Sequence, residues 1–338
     1  MKKEEIKFGL KRIGGKQPVF VVAEAGVNHN GSFKIAKKLI EEAKNSGADA
    51  IKFQTFKAND LASKKSKWFN VFKKLELQDN EFVELNDYAK QNKIMFFSAP
   101  FSFEAVDLLI KLKVKAIKIA SGDLTNIPLI KYAASKKKTM IVSTGMGNLN
   151  EIKEAIVAIK SVKNKNIILM HSVSSYPTPI NDVNLNSISL LEKKFSCPVG
   201  YSDNGENMTV PIVAVSLGAK IIEKHFTLNK KMKGPDHSMS SDPKQFKKLV
   251  SEIHEIEQMF GDGVKKCQKS ELENLVGARR SITAKTDLFK NSIINKENIT
   301  FKRPASGIEP KFFDKILGKK IQRKIKADDA IKWKDLKL

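Results

Sequence analysis

The side chains of this chain that could do chemistry collect at the ends of short apolar runs, and they sort by type. One group suits an anion. Lys52 and Lys118 stand inside the runs AIKFQT and AIKIASG, where a lysine needs a partner because an unpaired buried charge is costly. Ser98, Ser121, Ser143, Ser172, Ser174 and Ser202 follow similar runs, and Gly122 and Gly145 expose backbone N–H groups. Lysines, hydroxyls and open amides together make a cradle for phosphate or carboxylate. A second group is imidazole: His29, His171, His225 and His237 fall at or just beyond run ends, whereas His254 falls within a helical pattern. A third is acidic. Glu24, Asp123, Asp203, Glu223 and Asp236 could orient hydroxyls, position water or neutralise a lysine. Side chains two apart on a strand share a face, so Lys52 pairs with Gln54 and Glu223 with His225.

The runs that position these residues are Val19–Gly26, Ala50–Thr55, Ile94–Pro100, Ala116–Gly122, Thr139–Gly145, Ile167–Ser172, Pro198–Asp203 and Lys220–Phe226. Between them the apolar residues recur at helical spacing. The segment 32–46 carries Ile35, Leu39, Ile40 and Ala43 on one stripe and stops before Gly47. Segments 80–93, 103–112, 127–136, 150–161, 185–194, 208–217 and 243–260 read the same way. Asn150 ahead of Glu151, and Asp242 ahead of Pro243, are read as helix starts. Strand–helix repetition of this kind predicts a (β/α)8 TIM barrel, an α/β fold whose chemistry sits at the C-terminal ends of the strands. The polar clusters fall there.

The chain has 338 residues, more than the roughly 250 of such a barrel, which leaves room for a second domain. We divide it into an N-terminal extension (1–17), the catalytic barrel (18–262), a linker (263–280) and a C-terminal domain (281–338). The last has β-like runs, SITA, ITFKR and KKIQRKI, between turn-prone pieces. The N-terminus lacks the apolar core of a secretory signal and no window approaches a membrane span, so a cytoplasmic protein without a membrane partner is expected. Cys197 and Cys267 lack metal-like spacing. The net charge of +24 raises nucleic acid as a partner, but arginine is confined to Arg12, Arg279, Arg280, Arg303 and Arg323, and lysines are scattered over predicted helix faces. Arginine forks and aromatic platforms are missing, so no nucleic-acid partner is expected. No Walker-type glycine loop occurs.

Taken together, AEAGVNHNGS (23–32), KFQTFKANDL (52–61), FFSAPF (96–101), KIASGDLTNIPLI (118–130), STGM (143–146), YPTP (176–179), GYSDN (200–204), IEKHFT (222–227), GPDHSMS (234–240), ARRSITA (278–284), KRPASGIEP (302–310) and ILGKK (316–320) resemble the sialic acid synthase family. That family includes the legionaminic and pseudaminic acid synthases. The resemblance implies a transferase-type condensation of phosphoenolpyruvate with an N-acylated amino sugar. It also implies a small antifreeze-like (SAF) domain after the barrel and a domain-swapped homodimer. By motif, Lys52, Lys118, Ser121, Ser143, Ser174 and Ser202 would hold phosphoenolpyruvate, and Glu24, Gln54 and Lys118 would act in catalysis. Tyr176, Asp236 and Arg303 would meet the sugar, Arg303 reaching it from the partner chain.

The resemblance further implies a divalent metal, Mn2+, Mg2+ or Co2+, on His225 and on the residue at position 204. Here the sequence departs from the family, which has histidine where this chain has Asn204. A carboxamide oxygen suits a hard ion better than a borderline one, so metal affinity or preference is expected to change. The expected product is N-acetylneuraminate, from N-acetylmannosamine. Two alternatives stay open: the same reaction on a 2,4-diacetamido-2,4,6-trideoxyhexose, and a catalytically impaired barrel that only binds sugar or phosphate.

Overall fold

The computed structural model describes residues 5–9 and 11–337. It divides between Gly261 and Asp262 into two compact units. In the first unit, a hairpin of β1 (Glu5–Phe8) and β2 (Lys11–Gly14) leads into β3 (Phe20–Gly26), α1 (Phe33–Asn45) and β4 (Ala50–Thr55). Two short helices, α2 (Ala58–Leu61) and α3 (Phe69–Leu75), precede α4 (Asp79–Gln91). The pattern then runs regularly: β5 (Met95–Pro100), α5 (Phe103–Lys111), β6 (Ala116–Ile119), α6 (Ile127–Ser135), β7 (Thr139–Ser143), α7 (Leu149–Ser161), β8 (Ile167–Ser172), α8 (Asn186–Phe195), β9 (Val199–Asp203), α9 (Thr209–Ser216), β10 (Ile221–His225) and α10 (Pro243–Met259). Strands β3 to β10 are parallel and close on one another, β10 pairing with β3. This is the TIM barrel expected from the sequence.

Strand alternation divides the apolar residues into two layers. Val21, Ala23, Ile51, Phe53, Ile117 and Val142 join the helices in the outer core. Phe20, Val22, Ala50, Phe97, Ala116, Ile141, Ile168, Met170 and Ile221 form a separate inner cluster with no helical member. Following the inner face by twos, each strand turns from apolar to polar toward its C-terminal end. Val22 leads to Glu24, Ala50 to Lys52 and Gln54, Ala116 to Lys118, Ile141 to Ser143, and Ile221 to Glu223 and His225. Gly200 occupies an inner position where a Cβ would lie 2.6 Å from the Ile221 carbonyl and from Met170 Sδ, so no larger residue fits without movement.

The N-terminal extension has a structural role the sequence did not reveal. Ile6, Phe8 and Ile13 of the hairpin enter the inner cluster, and Phe8 meets Phe20 and Phe97 edge-on at 4.8 and 5.9 Å. The hairpin thus plugs the N-terminal mouth and leaves the opposite mouth for chemistry. The start of α7 also differs from expectation. Its N-cap is Asn148, not Asn150, because a capping box places its glutamate three positions after the cap, and Glu151 stands three after Asn148. Asn148 Oδ1 accepts from the Glu151 N–H, and Glu151 Oε2 accepts from the Asn148 N–H. Asp242 caps α10 as expected.

The second unit contains α11 (Leu272–Ala278), β11 (Ser281–Ala284), β12 (Ile299–Lys302) and α12 (Phe313–Ile316). SITA and ITFK pair antiparallel. KKIQRKI is not a ladder strand: Lys320, Ile321 and Ile325 make isolated bridges to Ile293, Leu336 and Leu288. Its apolar residues instead join an isoleucine-rich core that includes Ile282, Ile294, Ile316 and Ile331. No helix among the described residues is long and apolar enough to cross a membrane.

Candidate active site

The C-terminal mouth of the barrel opens into a cavity of about 390 Å³. Its floor is a chain of buried charges. Lys118 Nζ donates to both carboxylate oxygens of Glu223, at 2.7 and 2.8 Å. Lys52 Nζ lies 3.1 Å from Glu223 Oε1 and 3.2 Å from Glu24 Oε1. The Ser202 hydroxyl donates to Glu223 Oε1 at 2.9 Å. Register explains the meeting: Glu24 is paired with Lys52 across β3–β4, and Glu223 with Ser202 across β9–β10. Two ammonium groups and two carboxylates alternate, which offsets the desolvation that would otherwise forbid them.

These groups are tuned apart. Burial raises Glu24 to about 7, with Lys52 opposing. Burial works against the charge of Glu223 too, but Lys118 and Lys52 outweigh it and bring its carboxyl down to about 2. Lys118 falls to about 8, chiefly by burial, with Glu223 resisting. Burial also opposes the charge of Lys52, yet Glu223 and Glu24 hold it above the ordinary lysine value. Glu24 Oε2 is buried with no partner, so a carboxyl poised near neutrality has one oxygen available for proton exchange.

Most of the residues expected from sequence converge here. Glu24, Lys52, Gln54 and Lys118 line the cavity with Ser121, Ser143 and Ser202, and so do Tyr176, Asn204, His225 and Asp236. Ser174 does not. It lines a neighbouring cavity of about 830 Å³, and its buried hydroxyl has no partner. Arg303 belongs to the second unit, just after β12. Ser98 turns its hydroxyl to Thr55 at 2.7 Å and leaves the cradle. Of the histidines, His225 alone lines this cavity; His171 is bonded to the Val183 carbonyl at 2.8 Å, and His29 and His237 are buried without lining it. Asp203 is taken by Lys224 at 2.7 Å.

Sequence reading undervalued two features. Glu223, named only as one acidic candidate, is the hub of the floor. No residue of the stretch 68–75 was named as a candidate, yet Trp68, Val71, Phe72 and Leu75 form one wall of the cavity. Their spacing of three and four in a lysine-rich segment was the available signal.

His225 Nδ1 is buried and unpartnered, 3.9 Å from Asp236 Oδ2. Burial, with Lys52 adding repulsion, lowers its pKa to about 3, so the imidazole is neutral and keeps a lone pair. Burial raises Asp236 to about 6. Asn204 spends its amide N–H groups on the Val173 carbonyl (2.8 Å) and Ser172 Oγ (3.3 Å). No cluster of three or more His, Cys, Asp or Glu side chains suited to a metal occurs among the described residues. A bare imidazole nitrogen beside a carboxylate does fit a divalent cation that draws its remaining ligands from substrate or water.

A parallel eight-stranded barrel with buried lysines and serines at its C-terminal mouth has the architecture of a barrel enzyme, with charges and hydroxyls that suit an anion. Comparison with known proteins gives its relations. The NeuB family model matches residues 39–265 and the SAF domain model matches 279–337. The chain belongs to the NeuB family, the sialic acid synthase family indicated by its motifs. The N,N'-diacetyllegionaminic acid synthase of Campylobacter jejuni is 44% identical over 92% of this chain and 98% of that protein. A pseudaminic acid synthase of C. jejuni is 36% identical over 94% of this chain and 97% of its own length. Among solved structures, an N-acetylneuraminic acid synthetase from Leptospira borgpetersenii, in complex with citrate, superposes with a TM-score of 0.77. It is 38% identical and covers 81% of this chain and 95% of its own.

Proposed function

We propose that this chain condenses phosphoenolpyruvate with the open-chain form of a 2-acetamido sugar, releasing phosphate and forming a nonulosonic acid. The observation that carries the reading is the buried pair Lys52 and Lys118 on the cavity floor, surrounded by Ser121, Ser143 and Ser202. These cations and hydroxyls suit the phosphate and carboxylate of phosphoenolpyruvate. Family membership and the synthases to which the chain is similar support the same reaction.

The enol carbon of phosphoenolpyruvate attacks the sugar aldehyde, forming the new carbon–carbon bond with the electrons of the C2–C3 double bond. The aldehyde oxygen takes up a proton. Positive charge develops at C2, and water adds there with loss of a proton. The resulting tetrahedral carbon expels phosphate by C–O cleavage and leaves a 2-keto acid. Glu24 accounts for the proton steps: it lies beside Lys52, has an unpartnered oxygen and is raised to about 7. Lys52 and Lys118 stabilise the leaving phosphate, and Gln54 and Tyr176 orient the sugar. A divalent cation held by His225 with Asp236 or Asn204 would supply Lewis-acid polarisation of the aldehyde oxygen. By the family resemblance, two chains form a domain-swapped dimer and Arg303 of one reaches the sugar in the other.

Phosphate release from phosphoenolpyruvate, measured with each candidate sugar before and after chelation, tests this. Sugar-dependent release supports the proposal, and its restoration by added metal supports the cation site. Phosphoenolpyruvate binding without release under any condition would replace it with a sugar- or phosphate-binding barrel.

A further inference from the structure

Asn204 comes directly after β9, on the inner face that Gly200 and Ser202 occupy, and lines the cavity. Its backbone is held from the outer face. Lys224 Nζ donates to Asp203 Oδ2 at 2.7 Å and to the Gly205 carbonyl, and Asp203 Oδ1 accepts from the Gly205 N–H at 2.9 Å. Asp203 and Lys224 are buried, and no step of the proposed reaction uses them. A buried ion pair needs its remaining polar atoms satisfied, and this one meets that need by gripping the residues on either side of Asn204.

From this fixed base Asn204 reaches the loop after β8. Its Nδ2 donates to the Val173 carbonyl at 2.8 Å and to Ser172 Oγ at 3.3 Å, and its own carbonyl accepts from the Thr178 N–H at 3.1 Å. Thr178 Oγ1 in turn lies 3.2 and 3.0 Å from the Val173 and Ser175 carbonyls. Residues 173–179 contain no helix or strand, so bonds of this kind set their path. That loop carries Tyr176. The ring stands 55% exposed at the cavity mouth, edge-on to His225 with centroids 5.9 Å apart. We infer that Asn204 is a positioning residue, whose two amide N–H groups brace loop 173–179 and so set Tyr176 against the bound sugar. The inference rests on the condensation reading, in which Tyr176 orients the sugar. It gives Asn204 a task for its nitrogen, whereas holding a cation is a task for its oxygen, and the two can be separated.

Asn204→Asp separates them. It keeps the size and an oxygen, removes both N–H groups and sets a carboxylate oxygen against the Val173 carbonyl. The test is steady-state kinetics with each substrate varied in the wild type, Asn204→Asp and Asn204→Ala, repeated in each with Tyr176→Ala. Calorimetry with phosphoenolpyruvate checks that the floor is intact, and calorimetry with Mn2+ alone reads the cation site. KM for the sugar should rise about 10-fold in both variants, the cost of leaving a buried carbonyl unpaired, while KM for phosphoenolpyruvate stays within about twofold. Asn204→Asp should bind Mn2+ no more weakly than the wild type, since a carboxylate is the stronger oxygen ligand. On the Tyr176→Ala background neither change should raise KM for the sugar further, because the side chain it positions is gone. A sugar KM unchanged in both variants overturns the inference, as does an equal rise with and without Tyr176. A rise confined to Asn204→Ala, with Mn2+ bound more tightly by Asn204→Asp, also overturns it and makes Asn204 a cation ligand. Absence of phosphate release with every sugar in the wild type overturns the condensation reading, a distinct result. Amide hydrogen exchange across 173–179, faster in the variants if Asn204 braces the loop and unchanged if it does not, then decides the brace alone.

Discussion

Glu223→Gln removes one charge from the centre of the cavity floor while keeping its shape. Glu223 accepts from Lys118 at 2.7 and 2.8 Å and from Ser202 at 2.9 Å, and lies 3.1 Å from Lys52. After the change Lys52 keeps Glu24, but Lys118 loses the only ion-pair partner it has among the described residues. Breaking a buried pair from one side costs about 3–5 kcal/mol, because the remaining charge is left uncompensated. Lys118 is already lowered to about 8 by burial, so it can shed its proton near neutral pH and hold the cost toward the lower end. At about 2 °C per kcal/mol for a domain of this size, melting should fall by about 6–10 °C. An anion should then take the place of the lost carboxylate. Thermal melts with and without phosphoenolpyruvate are expected to show a larger ligand-induced rise in the variant than in the wild type. The double variant Glu223→Gln with Lys118→Met should regain part of the lost stability, since no buried ammonium is left unpaired. A Glu223→Gln protein that melts within 2 °C of wild type, with the same response to phosphoenolpyruvate, would refute the reasoning.

Other consequences follow from the loop that carries Asp236. Asn28 Nδ2 donates to the Phe226 carbonyl and to Ser240 Oγ, both at 2.9 Å, and Ser240 Oγ donates to the Asp236 carbonyl at 2.6 Å. Asn28→Ala should destabilise the barrel by about 1–3 kcal/mol and raise KM for the sugar more than KM for phosphoenolpyruvate, as steady-state kinetics with each substrate varied will show. His29 is buried and held neutral, its pKa lowered from 6.5 to about 4 by burial with a contribution from His237. Below pH 6.5 the unfolded chain binds the proton first, so stability present above that pH is lost as pH falls toward 4, a total of about 3 kcal/mol. Urea unfolding at pH 7 and pH 4.5 should show this loss diminished in His29→Gln.

The barrel was legible because eight buried strands alternate with amphipathic helices, and the segment bounds differ from the observed ones by only a few residues at each end. The lysines, serines and Glu24 were legible for a related reason: a charge inside an apolar run demands a partner, and the strand ends of a barrel all face one mouth. What escaped were relations between segments far apart in sequence. Nothing within MKKEEIKFGLKRIGG says that Phe8 will pack on Phe20 and Phe97 inside the barrel. Ser98 and Ser143 look alike as residues after strands, yet Ser98 bonds to Thr55 and Ser143 lines the cavity, a difference set by which face of the pleat each occupies. Glu223 was visible as one acid among several; its place between Lys52 of β4 and Lys118 of β6 depends on closure of the barrel, which brings both strands within reach of β10. KKIQRKI reads as a β-like run, but Ile321 and Ile325 reach the tail core through separate bridges.

The central claim is that phosphate leaves a carbon newly joined to the sugar, and phosphoenolpyruvate carrying ¹⁸O in the bridge between C2 and phosphorus tests it most directly. With the amino sugar present, the account predicts that the label departs with phosphate and that a nonulosonic acid of the summed carbon skeleton forms without label. Label retained in the keto acid, or phosphate released equally without sugar, would contradict it.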